Sequence, residues 1–188
     1  GNGGFVDRST ELASAIRDER LDGLVVIGGD GTQTIGLKLM DTHGIPVVGE
    51  PKTIDNDYMG IDFTFGYFTA VDTLATEIRN LLHDGEAGQA YFLCETMGRS
   101  AGWLGYGAAM AGEASLVISV EDIVGDFADQ ESVTDPGTGE STTRTVMNME
   151  RVINRMVKTM TAREEEGKLF GVIVIAEGLA EYLPSSYL

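Results

Sequence analysis

The chain has 188 residues, and 30 Asp and Glu against 13 Lys and Arg give it a formal net charge of −17. That balance offers no basic stripe for a phosphate backbone and is repelled by anionic lipid surfaces, which argues against nucleic-acid and membrane binding. With 43% apolar and 23% charged residues, the composition is that of a globular domain large enough to bury a core. Cys94 is the single cysteine and lies in an apolar run, so no internal disulfide forms and a reducing cytoplasm is the expected compartment. No apolar stretch reaches the length of about 18 residues of a membrane span. The chain lacks an initiator Met and starts in a glycine-rich stretch, as a trimmed sequence does.

In chain order, the apolar run Leu24-Val25-Val26-Ile27 predicts a strand, followed by glycines and a helical pattern through Ile35, Leu37, Leu39 and Met40. Ile45-Pro46-Val47-Val48 predicts the next strand, with Pro46 near its start, where a strand tolerates it. Apolar positions at Ala70, Leu74, Ile78 and Leu81 predict a helix over about Phe65 to Leu82. The strand Tyr91-Phe92-Leu93-Cys94, a Gly/Ala-rich helix from about Ser100 to Ala111 and the strand Leu116-Val117-Ile118 come next. Residues from about Glu121 to Arg144 are acidic, carry Asp135-Pro136-Gly137-Thr138-Gly139 as a turn signal, and read as an exposed insertion, loop or hairpin. A helix from Met147 to Arg163 and a strand from Phe170 to Ile175 close the pattern.

Continuous apolar strands alternating with helices predict one α/β domain over 1–188, a doubly wound, mostly parallel sheet with helices on both faces. Ligands of such sheets bind beyond the carboxyl ends of the strands. That rule singles out Gly28 to Thr32, Gly49 to Asp57, Glu95 to Arg99 and Ala176 to Gly178.

Gly28-Gly29-Asp30-Gly31-Thr32 leads from a strand into a helix, where glycines admit a ligand close to the backbone and helix-start N–H groups favour phosphate. An acidic residue there repels phosphate unless a cation intervenes, so Asp30 is a candidate ligand for Mg2+. The plainer reading is a tight turn with Asp30 as helix cap. Pro51-Lys52-Thr53-Ile54-Asp55-Asn56-Asp57 places a cation, two carboxylates, an amide and a hydroxyl in seven residues. One carboxylate can take a proton from a sugar hydroxyl during phosphoryl transfer, and Lys52 can neutralise phosphate. A solvated polar turn is the alternative.

Gly-Gly-Asp-Gly-Thr, Pro-Lys-Thr-Ile-Asp-Asn-Asp, Phe65-Gly66-Tyr67-Phe68-Thr69-Ala70-Val71, Met97-Gly98-Arg99 and Ala176-Glu177-Gly178 occur in the order and approximate spacing of the phosphofructokinase family. The chain resembles that family from about Leu21 to Gly178 and is similar to the central part of a larger two-domain enzyme. The resemblance implies transfer of a phosphoryl group to the 1-hydroxyl of fructose 6-phosphate, with Mg2+ as cofactor and a homo-oligomeric assembly. It implies Asp55 as the base, Asp30 as metal ligand, Asp57 as a second carboxylate at the reaction centre and Thr53 as a substrate contact. Met97, Gly98 and Arg99 match the sugar-contacting segment, Arg99 near the transferred group, and Glu177 matches a carboxylate that binds sugar hydroxyls. Gly29, Asp30, Gly31 and Thr32 fall on the donor side. Gly31 resembles ATP-using members and Lys52 pyrophosphate-using ones, so ATP is the expected donor and pyrophosphate the alternative.

The sequence also departs from the family pattern. Ala90 stands about where many bacterial members carry an arginine that reaches a neighbouring subunit's sugar phosphate. Gly1 to Phe5 holds no match for the arginine that bridges donor and acceptor phosphates. With no complete clamp for the acceptor phosphate, the 188 residues alone are expected to be weakly active or inactive. A sugar-phosphate-binding regulatory subunit is the alternative from another class, and a lipid or nucleoside kinase a weaker one. Retention of Asp30, Asp55, Asp57 and Arg99 speaks against both. Trp103, Leu104 and Tyr106 read as packing residues, His43 and His83 as surface or helix-end residues, and Glu164-Glu165-Glu166 as a solvated helix end.

Overall fold

In the computed structural model, which describes residues 6–134, 137 and 139–188, the first apolar run forms β1 (Leu24–Gly28), paired in parallel with β2 (Val47–Pro51). The register runs from Leu24 opposite Val47 to Gly28 opposite Pro51, so both strands end together and their following loops leave from the same edge. These strands, with α1 (Ser9–Asp18) and α2 (Asp30–His43), belong to a first unit made of the chain up to Thr53 together with Tyr58–Phe65. Its core joins Ala13 and Ile16 of α1 to Leu39 of α2 and to Ile45. Sequence periodicity passed over α1, whose two buried apolar positions are the i, i+3 pair Ala13 and Ile16. Helix α2 stops at Gly44, which takes a left-handed φ of 65° and turns its N–H back to the Met40 carbonyl. Val25 and Ile27 of β1 are exposed while Leu24 and Val26 are half-buried, so β1 is not covered on both faces as its apolar run predicted.

The second unit comprises Ile54–Asp57 and Gly66–Leu188. Its sheet is parallel, in the order β3 (Tyr91–Thr96), β7 (Gly171–Ala176), β4 (Leu116–Ile118). Central strand β7 is buried over most of its length, as a continuous apolar run between two neighbours requires. Ile78 of α3 (Tyr67–Gly88), Ala108 and Ala109 of α4 (Trp103–Gly112) and Val172 and Val174 of β7 form one core cluster. Cys94 packs against that cluster, half-buried.

Helix α3 runs to Gly88, beyond the expected Leu82. Gly85 lets the returning chain pass close, since a Cβ there would meet the Ala90 carbonyl oxygen, and Gln89 ends the helix at a left-handed φ of 50°. The acidic segment forms two short helical turns, Val120–Asp122 and Gly125–Phe127, and then an antiparallel hairpin of β5 (Ala128–Thr134) and β6 (Ser141–Met147). Helix α5 (Met149–Glu165) follows, its Asn148 cap accepting the Arg151 N–H at 3.0 Å. Residues 1–5, and Asp135, Pro136 and Thr138 of the expected turn, lie outside the described residues. No helix of the described residues is long and apolar enough to cross a membrane.

Candidate active site

In the first unit the candidate donor loop follows β1 directly. Gly29 is extended and caps α2, and Asp30 is the first helical residue rather than the cap itself. A Cβ on Gly28 would run into the Thr32 side chain, so this glycine is fixed by strand-to-helix packing. Gly31 differs: among the described residues nothing lies within 4 Å of where its Cβ would be. Asp30, Gly31 and Thr32 are exposed around the first turn of α2, where unpaired N–H groups give the helix its positive end. The Asp30 carboxylate accepts the Tyr58 hydroxyl at 2.9 Å.

Two contacts tie this loop to the end of β2. The Lys52 N–H donates to the Gly28 carbonyl at 2.9 Å. The Gln33 amide donates to the Gly28 and Glu50 carbonyls, both at 3.0 Å, and lies over Gly49 where a Cβ would collide with it. Lys52 is exposed and enters no ion pair among the described residues, and Thr53 is half-buried. Gln33 and Tyr58 escaped the sequence reading. Position three residues after Asp30, on a helix opened by glycines, was the available signal for Gln33, whereas Tyr58 is marked only by following the acidic segment.

In the second unit, Asp55 is half-buried and Asp57 exposed. Asn56 between them has a φ of 57°, a left-handed conformation that Asn tolerates better than most side chains. The segment is anchored through Ile54, which packs over Gly66 just before α3.

The ends of β3 and β7 bring two further predicted segments together. Glu177 Oε1 accepts the Gly98 N–H at 3.2 Å, and the Gly178 N–H donates to the Gly98 carbonyl, also at 3.2 Å. Gly98 holds a φ of 130°, open in practice only to glycine, and Gly178 has its backbone against the Arg99 carbonyl oxygen. Met97 and Arg99 are thereby turned outward on either side of a buried Gly98. Arg99 enters no ion pair among the described residues, and Glu177 has one oxygen with no hydrogen bond to them.

A polar network that sequence reading did not anticipate lies behind this turn. Glu121 accepts the Gly102 N–H at 2.9 Å and the hydroxyl of fully buried Ser119 at 2.7 Å, placing a carboxylate at the positive end of α4. Asp122 accepts the Tyr106 hydroxyl at 2.8 Å, and burial together with that carboxylate pushes the phenol well above its ordinary range. Burial likewise pushes the Cys94 thiol up.

Comparison with known proteins covers nearly the whole chain. A family profile described as Phosphofructokinase matches residues 4–186. The ATP-dependent 6-phosphofructokinase 2 of Clostridium perfringens is 37% identical over 164 residues, which are 87% of this chain and 37% of that protein. The ATP-dependent 6-phosphofructokinase of Corynebacterium efficiens is 34% identical over 168 residues, 89% of this chain and 40% of that protein. Among solved structures, phosphofructokinase from Saccharomyces cerevisiae aligns with a TM-score of 0.62 at 21% identity, over 92% of this chain and 23% of that one. A pyrophosphate-dependent phosphofructokinase from Marinobacter aquaeolei aligns with a TM-score of 0.57 at 21% identity, over 97% of this chain and 45% of that one. The chain thus spans well under half the length of the curated relatives it matches.

Proposed function

Because the chain belongs to the phosphofructokinase family, we propose that it contributes catalytic residues for phosphorylation of fructose 6-phosphate at its 1-hydroxyl, with ATP as donor. The observation that carries this reading is the paired closure of Gly98 on Glu177 and Gly178. It joins two motifs separated by 79 positions and leaves Arg99 and one Glu177 oxygen available to a ligand. In the reaction, the sugar 1-hydroxyl oxygen bonds to the terminal phosphorus of ATP, the bond from that phosphorus to the ADP oxygen breaks, and the hydroxyl proton passes to Asp55. Asp57, Thr53, Met97, Gly98 and Glu177 hold the sugar phosphate, and Arg99 opposes the charge on the transferred group. Gly29, Gly31 and Thr32 receive the donor phosphates at the start of α2.

Mg2+ fits the residues present. Among the described residues no group of three or more His, Cys, Asp and Glu is placed to cage a metal ion. Mg2+ in phosphoryl-transfer sites needs only one or two carboxylates, taking its other ligands from water and phosphate. Asp30, exposed at the open side of Gly31, is the residue that would hold it. When bound, the ion neutralises the donor phosphates.

ATP is favoured by the names of the curated relatives and by the open space at Gly31. The pyrophosphate reading keeps one observation of its own: Lys52 is exposed, is free of ion pairs among the described residues and is held beside the donor loop by its own N–H on the Gly28 carbonyl. Asp55→Ser in the full-length protein tests the assignment. Turnover is expected to fall about 100- to 10,000-fold with sugar-phosphate binding retained. Unchanged turnover would remove Asp55 from the mechanism.

A further inference from the structure

In a chain of net charge −17, Arg151, Arg155, Lys158 and Arg163 all fall on α5, and no acidic residue lies between 151 and 163. Arg163 is engaged elsewhere: its guanidinium donates to the Phe170 carbonyl at 2.9 and 3.1 Å and lies over the Phe170 ring. The other three differ. Steps of four and three residues put Arg151, Arg155 and Lys158 on one helix face, spanning about 10 Å at a helical rise of 1.5 Å per residue. That face borders a cleft of about 450 Å³ in the second unit, whose other wall is Asp126 and Phe127 of the short turn before β5.

Arg155 is held in place. It donates to Asp122 at 3.1 Å, and its guanidinium sits 5.6 Å from the centre of the Phe127 ring. Asp122 is itself fixed by the Tyr106 hydroxyl at 2.8 Å and the Ser119 N–H at 2.9 Å. The guanidinium is therefore pre-positioned, with donors to spare beyond Asp122. Arg151 and Lys158 are exposed and enter no ion pair among the described residues. Two unpaired cations beside a fixed third, in so acidic a chain, mark a place where negative charge is received rather than repelled. Asp126 is the one carboxylate in the lining, so a singly charged anion gains little there. A ligand of higher charge, long enough to reach from Arg151 to Lys158, gains from all three.

We propose that this cleft binds a small molecule carrying two or more linked phosphate groups. Arg155 is its fixed fork, and Arg151 and Lys158 close on the outer phosphates. The volume is that of a small-molecule pocket, and none of these residues belongs to the candidate donor or sugar segments. Titration of the 188-residue chain with inorganic tripolyphosphate, in EDTA and followed by amide NMR, tests it. Saturable shifts are expected at Phe127, Asn154, Arg155 and Lys158, with affinity about tenfold or more weaker in Arg151→Gln/Lys158→Gln of unchanged far-UV circular dichroism. Shifts confined to Gly29–Thr32, shifts that grow without saturating, or full affinity in the folded double variant overturn the proposal. Should the double variant not fold, Lys158→Gln alone is read by the same titration, with a severalfold loss expected and no loss overturning it.

Discussion

Gly178 and Gly31 both lie in candidate site segments, and they make opposite predictions. A side chain at Gly178 meets the Arg99 carbonyl oxygen, a backbone atom that cannot swing aside. Gly178→Ala is therefore expected to destabilise the protein by about 1–3 kcal/mol, as overpacking does, and to raise the KM for the sugar phosphate by displacing the turn at Gly98. Denaturant unfolding alongside steady-state kinetics checks both. At Gly31 the space is open among the described residues, and Ala is a good helix former in the first turn of α2. Gly31→Ala should leave stability within about 0.5 kcal/mol of the parent while weakening the use of ATP. Loss of stability without loss of ATP use would remove Gly31 from the donor side. At this scale the sequence singles out Asp30, Asp55, Arg99 and Glu177 as candidates because they lie in short polar segments that follow apolar runs. Gln33 and Tyr58 do not stand out in the sequence, since what distinguishes them is a partner brought near by the fold rather than by spacing.

Most strands and helices announced themselves through apolar runs and period, and the differences have identifiable causes. Helix α3 outruns its apolar stripe because Gly85 serves a close approach of backbone rather than a stop. The hairpin of β5 and β6 is polar over most of its length, with Val146 and Met147 buried side by side at one end, so no apolar alternation marks its strands. Its middle pair, Glu131 opposite Arg144, is held by charge. Arg144 donates to Glu131 at 2.8 Å, and the Ser185 N–H donates to the same carboxylate at 3.0 Å. The Arg144 hydrogen bond, followed by the Ser185 N–H, holds the Glu131 carboxyl below its ordinary value of 4.5. A carboxylate with a lowered folded-state pKa contributes stability that is fully present above the unfolded value and lost as pH falls through the lowered one. The Ser185 amide resonance should therefore be constant at neutral pH and titrate with a midpoint below 4.5, a transition absent in Glu131→Gln. A midpoint at or above 4.5 contradicts the tether.

For the whole molecule, sequence order alone pointed to an α/β chain of the phosphofructokinase family, and the parallel strands, the family profile and the curated relatives agree. The chain passes between its two compact units after Thr53, Asp57 and Phe65, all within a stretch whose composition marks no boundary. Catalysis in this family's manner needs base, metal ligand and a positive clamp assembled together. Under the proposed assignment the 188 residues supply Asp55, Asp30 and Arg99, and they span only 37% and 40% of the Clostridium perfringens and Corynebacterium efficiens relatives. Turnover by the isolated chain is accordingly expected to lie far below that of the full-length protein, and an equal rate would show that the clamp is complete within it.

The central claim is that residues at the ends of these strands transfer a phosphoryl group to fructose 6-phosphate. Its most direct test is the rate at which the full-length protein forms fructose 1,6-bisphosphate with magnesium and either ATP or pyrophosphate, for the parent and for Asp55→Ser. The account predicts turnover with ATP exceeding that with pyrophosphate, and a loss of about 100-fold or more in the variant. Turnover with neither donor, or a variant as fast as the parent, contradicts it.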